Sequence, residues 1–245
     1  IKKGDKVAIY STSTPNWGAA YFAIVNYGAI AVPLLPDFSE VEVKSILEHA
    51  EVSGIFVAPK MYNRLKDIDE KLLPFIINID DFSIFKGKTI DFNSWKLEEV
   101  TVEEEDTASI IYTSGTTGRS KGVELSHKNL VWCAIQCQTV HRVNKRDICL
   151  SFLPLSHVYE FTIGFAMMML NGACVYYLGK PPTVSTLLPA LKKIRPTIVL
   201  SVPMVMEKVY KNKIIPTFTK NPKIAKLYKK RIFQKIFHRI AGISL

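Results

Sequence analysis

Short β-rich runs alternate with amphipathic helical stretches along almost all of this 245-residue chain, and that alternation restricts the fold more than any other feature. "KVAIY" reads as a strand, followed by a helix that starts at Thr14-Pro15 and carries Trp17, Tyr21, Phe22 and Val25. "AIAVPL" is a second strand. "FSEVEVKSILEHA" is a helix whose start is marked by Ser39 with Glu42 three residues on, and whose Val43, Ile46 and Leu47 share a face. "SGIFVAP", "FIINID" and "ASIIYTS" read as further strands, with a polar connection over 83–106 that ends in "EEED". A helix from Lys128 to Val140, the strand "ICLSFLP", a helix over 158–170, the strand "CVYYLG", a helix over 185–194 and the strand "TIVLSVP" follow in turn. Strand and helix in this order predict an α/β fold: parallel sheets flanked by helices, built from right-handed βαβ units. Ligands of such folds sit at the carboxyl ends of the strands.

Several function classes fall away on composition. Hydrophobic residues make up 48% of the chain, enough for a large core and too many for a disordered segment. No apolar run reaches the roughly 18 residues of a membrane span; the longest, from Phe161, breaks at Asn171-Gly172. Cys133, Cys137, Cys149 and Cys174 form no C-x-x-C and have no histidine at ligand spacing. They read as buried reduced thiols, and with an opening "IKKGDKVAIY" that turns into a strand they point to a cytoplasmic protein. The net charge of +10 is local: 11 of the 32 Lys and Arg lie after Glu207, and none of the 22 acids does. A near-neutral body therefore carries a basic end.

One segment resists a purely structural reading. "YTSGTTGRSKGVELSH", from Tyr112 to His127, packs hydroxyls, glycines and cations directly behind a buried strand. Between Thr113 and Lys121 there is no carboxylate, no Pro and no large apolar side chain. Small donors, bare backbone N–H groups and positive charge are what wrapping a polyphosphate requires. The loop is not that of the P-loop NTPases, because Ser120 stands where G-x-x-x-x-G-K-[ST] needs its second Gly, and Lys121 is followed by Gly122. It is not the dinucleotide fingerprint either, because no Gly-x-Gly precedes the helix. A flexible linker does not fit between a buried strand and "GVEL", itself a strand pattern.

"YTSGTTGRSKGVELSHKNL" resembles the signature loop of the adenylate-forming enzymes: acyl-CoA synthetases, luciferases and peptide-synthetase adenylation domains. Ser120 departs from the family's usual Pro before the Lys, which alters loop stiffness more than chemistry. "GDKVAIYSTSTPNWGAAYFAIVNYGAIAVPLLP", "FLPLSHVYE" and "RPTIVLSVPMVMEKVY" resemble further family segments in the family's order. The form L-P-L-S-H-V-Y-E, with the basic helix after it, resembles most the long-chain fatty acyl-CoA synthetases. The resemblance implies an incomplete N-terminal, AMP-binding domain over 1–245, with lobes approximately 15–145 and 1–14 plus 146–245. The Y-G-x-T-E and T-G-D motifs and the C-terminal lid with its catalytic Lys would lie beyond Leu245, so the chain by itself is expected to be inactive.

The chemistry the resemblance implies is ATP-dependent activation of a long-chain fatty acid to acyl-AMP, then transfer to coenzyme A. Backbone amides and hydroxyls of Thr113, Ser114, Thr116 and Thr117 would bind the β and γ phosphates, with Gly115 and Gly118 permitting close approach. Lys121 would add compact positive charge. Mg²⁺ would neutralise the phosphates, with Thr117 a minor contributor beside a carboxylate of the Y-G-x-T-E motif. His157 would line the junction of acyl pocket and nucleotide. Thr116, Lys121 and His157 are the expected catalytic residues. Glu160 is a weaker candidate for a role at the site, and a helix-start charge is the favoured reading of it. Val158, Phe161, Phe165 and Met168 suit an acyl tunnel and equally a plain core.

Two readings from other classes compete. One is a non-catalytic nucleotide- or acyl-binding domain, against which the intact loop chemistry argues. The other acts through the basic end, where Ile224, Leu227, Tyr228, Ile232, Ile236 and Ile240 recur at helical spacing and Lys226, Lys229, Lys230 and Arg239 fall largely on other faces. Residues 218–241 would then lie peripherally on an anionic membrane, or their apolar face would pack on protein with the lysines solvated. Nucleic acid is not the expected partner, because the cations lack interleaved exposed aromatics.

Overall fold

A computed structural model describes residues 1–65, 68, 72–88, 99–113 and 120–216. In chain order the elements are β1 (Lys6–Tyr10), α1 (Pro15–Asn26), β2 (Ile30–Leu34), α2 (Glu40–Ala50), β3 (Gly54–Val57) and α3 (Pro59–Tyr62). Then come β4 (Ile76–Asn78), β5 (Ile84–Lys86), β6 (Thr107–Thr113), β7 (Lys121–Ser126), α4 (His127–Val140) and β8 (Ile148–Ser151). A π-helical stretch, Glu160–Met167, runs on into α5 (Met168–Leu170), followed by β9 (Cys174–Tyr177), α6 (Val184–Ile194), β10 (Ile198–Val199) and α7 (Pro203–Val209).

Two sheets organise these elements. The larger has the order β5-β4-β3-β1-β2-β6-β7, and the smaller has the order β10-β8-β9. The pairs from β4 across to β6, and both pairs of the small sheet, are parallel. Only the two outermost pairs of the large sheet, β4 with β5 and β6 with β7, are antiparallel. The α/β architecture read from the alternation is therefore present, as mostly parallel sheets with helices against them.

Local chemistry sets the helix starts. Thr14 caps α1 by accepting from the Trp17 N–H, with Pro at the first helical position. Ser39 and Glu42 form a reciprocal capping box on α2, as their spacing predicts. Ser126 with Asn129 and Thr183 with Thr186 do the same for α4 and α6. Between the sheets, α1 lies close against the helical stretch that follows His157. Trp17 is fully buried, stacks on Tyr21 with ring centroids 5.6 Å apart, and meets Phe161 and Phe165 edge-on. A Cβ at Gly18 would come 2.9 Å from the Phe165 ring, so hydrogen at that position is what allows the two helices this separation.

Four expectations need correction. The connection over 83–106 contains a strand, β5, which pairs with β4 and leaves Ile84 and Phe85 exposed at the edge. Residues 6–10, grouped above with the lobe 146–245, form the middle strand of the large sheet, held by β2 and β3 on either side. Of the four thiols only Cys149 is buried; Cys133 and Cys174 are exposed and Cys137 lies between. "TIVLSVP" contributes only Ile198 and Val199 to a sheet, paired with Cys149 and Leu150. The basic segment 218–241 lies outside the described residues. Among the described residues no helix is long and apolar enough to cross a membrane.

Candidate active site

The carboxyl ends of β1, β2 and β6 lie along one edge of the large sheet, because these strands are parallel and in register. One of the segments singled out in the sequence leaves from that edge, and the other, which follows the small sheet, is tied to it. β6 delivers Thr113 and β7 begins at Lys121, and these two residues are paired directly across the ladder. The strand pair thus brings both ends of the glycine- and threonine-rich loop together, with Thr113 and Lys121 exposed. The loop residues Ser114, Gly115, Thr116, Thr117 and Gly118 lie outside the described residues. The last turn of β6 is anchored from outside the sheet: the Tyr112 hydroxyl and His49 Nδ1 of α2 are 2.7 Å apart. Burial pushes the Tyr112 phenol above its ordinary pKa, so it stays a neutral hydroxyl.

The second segment, Phe152–Tyr159, follows β8 of the small sheet and is tied to the large one. Ser13, just past the end of β1, donates its hydroxyl to the Leu153 carbonyl at 2.9 Å and accepts the Leu155 N–H at 2.9 Å. One side chain from the first sheet thereby satisfies two backbone groups of the loop from the second. Nothing in "STSTP" marks Ser13 for this, since a serine in such a run is most simply a turn residue; only the meeting of two segments 140 residues apart reveals it.

His157 is exposed. Its Nδ1 accepts the Tyr159 N–H at 3.2 Å, which in the neutral tautomer assigns the ring proton to Nε2 and makes that nitrogen a donor. Its backbone N–H bonds the Pro154 carbonyl and its carbonyl receives the Phe161 N–H, so the ring stands on a closed turn. Beside it the Ser156 hydroxyl is buried and has no partner. Val158 is exposed, whereas Phe161, Phe165 and Met168 are buried. Phe161 and Phe165 line an apolar groove of about 380 Å³ together with Tyr21, Phe22, Leu130 and Met169. Met168 packs instead in the core of the small sheet, against Cys149, Ala134 and Leu200, and is withdrawn from the tunnel reading.

Glu160 differs most from its sequence reading. It is 0% exposed, and its Oε1 accepts the Ser151 hydroxyl at 2.5 Å. Burial pushes its pKa up to about 7, against the smaller lowering effect of that hydrogen bond. A solvated helix-start charge it is not: Ser151 at the end of β8 and Gly164 on its own helix lie directly against the carboxyl.

The family model for AMP-binding enzymes matches residues 1–234. The chain belongs to that family. It is 30% identical over 222 residues to the long-chain-fatty-acid–CoA ligase FadD15 of Mycobacterium bovis, an alignment covering 86% of this chain and 36% of that protein. To the peroxisomal long chain acyl-CoA synthetase 7 of Arabidopsis thaliana it is 29% identical, covering 96% of this chain and 35% of that one. The AMP-binding chain thus spans about a third of the length of these relatives. Among solved structures, the inhibitor-bound N-terminal domain of FACL13 from Mycobacterium tuberculosis superposes with a TM-score of 0.72 at 22% identity, covering 86% of this chain and 52% of that one. The O-succinylbenzoate coenzyme A synthetase MenE of Bacillus subtilis, in complex with ATP and a magnesium ion, gives a TM-score of 0.71 at 22% identity, covering 86% and 42%. These structures share the fold.

The residues described here do not by themselves build a magnesium site. Among them no three His, Cys, Asp or Glu side chains converge on a point that would hold a metal, and Thr117 lies outside them. Magnesium prefers several hard oxygen ligands, and the described residues bring no such set together.

Proposed function

We propose that the whole protein containing this AMP-binding chain activates a long-chain fatty acid with ATP, forming acyl-AMP and pyrophosphate and then acyl-CoA and AMP. The observation that supports this best is the arrangement at the carboxyl edge: the phosphate-type loop from β6 and the His157 loop from β8 leave the two sheets on the side where Ser13 joins them. The likeness to long-chain acyl-CoA synthetases at about 30% identity supports the substrate class.

In this reading a carboxylate oxygen attacks the α-phosphorus of ATP, the bond to the bridging oxygen breaks, and pyrophosphate carries the electron pair away. Catalysis is then mainly positioning and electrostatic stabilisation. The backbone and hydroxyls of Thr113, Ser114, Thr116 and Thr117 hold the departing phosphates, with Gly115 and Gly118 leaving room. Lys121, fixed at the start of β7, adds charge. The Nε2–H of His157 donates to an oxygen at the junction of acyl group and phosphate. ATP is expected to arrive with Mg²⁺, and coenzyme A supplies the thiol that displaces AMP. The groove beside Phe161 and Phe165 is apolar enough for an alkyl chain.

Fatty-acid-dependent exchange of labelled pyrophosphate into ATP, measured on the whole protein, tests this. Lys121→Ala and Thr116→Ala are each expected to lower exchange by about a hundredfold or more, the cost of removing one donor to a developing charge. Undiminished exchange in both would take the loop out of the mechanism.

A further inference from the structure

Glu160 is a carboxyl group buried where a charge is expensive. Its Oε1 has one partner, the Ser151 hydroxyl, and its Oε2 has none. A Cβ at Gly164 would stand 2.7 Å from Oε1 and 3.2 Å from Oε2, so the carboxyl lies flat against the next turn of its own helix and only glycine admits it there. The titratable groups that face it come from the small sheet: Cys149 of β8 and Tyr177 of β9, both raised to about 12, by burial first and then by the nearby carboxyl. A leucine or methionine would fill this position at lower cost, since burying an acid with one hydrogen bond gains little stability. A polar group kept at such a place is therefore better explained by what it orients.

What it orients follows from its two ends. Ser151 is the last residue of β8 and Glu160 is the first of the π-helical stretch. Their bond closes the segment Phe152–Tyr159 at its root, while Ser13 holds the middle of the same segment at Leu153 and Leu155. His157 rises from the part of the segment between these two ties. Wide helical turns of this kind recur beside functional residues, and here the π winding begins three residues after His157.

We propose that Glu160 is a positioning residue: through Ser151 it fixes the root of the His157 loop and so sets where the His157 ring projects. This rests on the reading that His157 acts at the junction of acyl group and nucleotide.

The test uses the whole protein, with steady-state acyl-adenylate formation and the imidazole resonances of His157 as separate readouts. Glu160→Gln keeps an oxygen for the Ser151 hydroxyl and is expected to hold kcat within about threefold and to leave the His157 resonances in place. Glu160→Ala and Ser151→Ala each remove the tie, and are expected to lower kcat about tenfold with little change in KM for ATP, and to shift the His157 resonances. In combination with His157→Ala, Glu160→Ala is expected to cause no further loss, because a residue that acts through another has nothing left to act on. Full kcat in both Glu160→Ala and Ser151→Ala, or losses that add in full to that of His157→Ala, would overturn the proposal. So would a glutamine variant as impaired as the alanine variant. Should Glu160→Ala fail to fold, Ser151→Ala carries the same prediction. If His157→Ala itself is silent in catalysis, the reading of the site fails, and the imidazole resonances alone then decide whether Glu160 positions the ring: a shift in the alanine variants that is absent in Glu160→Gln supports it, and none overturns it.

Discussion

The two sheets differ in how far each finishes its own core. In the large sheet every side chain from Val7 to Tyr10 and from Ala31 to Leu34 is buried, with α1 and α2 adding Trp17, Tyr21, Val43, Ile46 and Leu47 to one continuous cluster. In the small sheet β9 buries no residue fully and β10 has two half-buried ones. The helices beside it bury little: Ala134 alone in α4 and Leu187 alone in α6. Trp132, Ile135 and Val140 on α4, Tyr176 on β9 and Met204 on α7 are exposed. Parallel strands are stable when both faces are covered, and apolar area left open is stabilisation not collected. The lesson is that the AMP-binding chain holds one self-sufficient layer and one layer whose apolar faces remain uncovered among the described residues. The candidate site lies between them.

Substitutions can break or sharpen that contrast. The largest loss is expected from Trp17→Ala, about 3–5 kcal/mol of unfolding free energy in a urea titration, because Trp17 packs both on α1 and on the helix after His157. Leu150→Ala, fully buried in the small sheet, is expected to cost less, about 2–3 kcal/mol; a loss equal to that of Trp17→Ala would erase the distinction between the layers. Glu160 follows. Its pKa is raised in the fold to about 7, so the protonated form is the one the fold prefers. Its stabilising contribution is complete below the unfolded carboxyl value near 4.5 and is lost as pH rises through about 7, with an upper limit of roughly 3 kcal/mol. Unfolding free energies at pH 5 and pH 8 should therefore diverge less in Glu160→Gln than in the parent, and equal slopes would mean that the carboxyl does not titrate there. Trp132→Ser on the open face of α4 should change the stability of residues 1–245 by about 0.5 kcal/mol or less, and a cost above about 2 kcal/mol would show that face to be covered after all. Smallest of all is Lys128→Ala. Lys128 bridges Glu104 at 3.3 Å and Glu105 at 2.5 Å, but in the open, and in physiological salt its loss should leave the urea midpoint unmoved.

Much of the fold was legible because its signals are local. Apolar alternation placed β1 to β4, and the capping residues Thr14 and Ser39 placed the starts of α1 and α2. The edge strand β5 escaped notice because its three residues include two exposed apolar side chains, a pattern a polar connection also shows. The phosphate-type loop could be recognised by composition, since the need for small donors and cations next to a strand is written in consecutive residues. His157 was found through its motif. Ser13 and Ser151 were not, because a serine's role depends on which distant backbone or side chain it meets.

Glu160 marks the boundary between the two kinds of knowledge. The sequence by itself determined the order of strands and helices apart from β5, the position of the loop behind β6 and the family, because periodicity, caps and motifs are properties of neighbours along the chain. Which side of the helix after His157 faces the protein, and therefore whether Glu160 is a solvated charge or a buried acid, was decided only when that helix packed between α1 and β8. Burial, and with it a carboxyl group's charge, is set by what surrounds a side chain in space, and that surrounding is assembled from segments far apart in sequence.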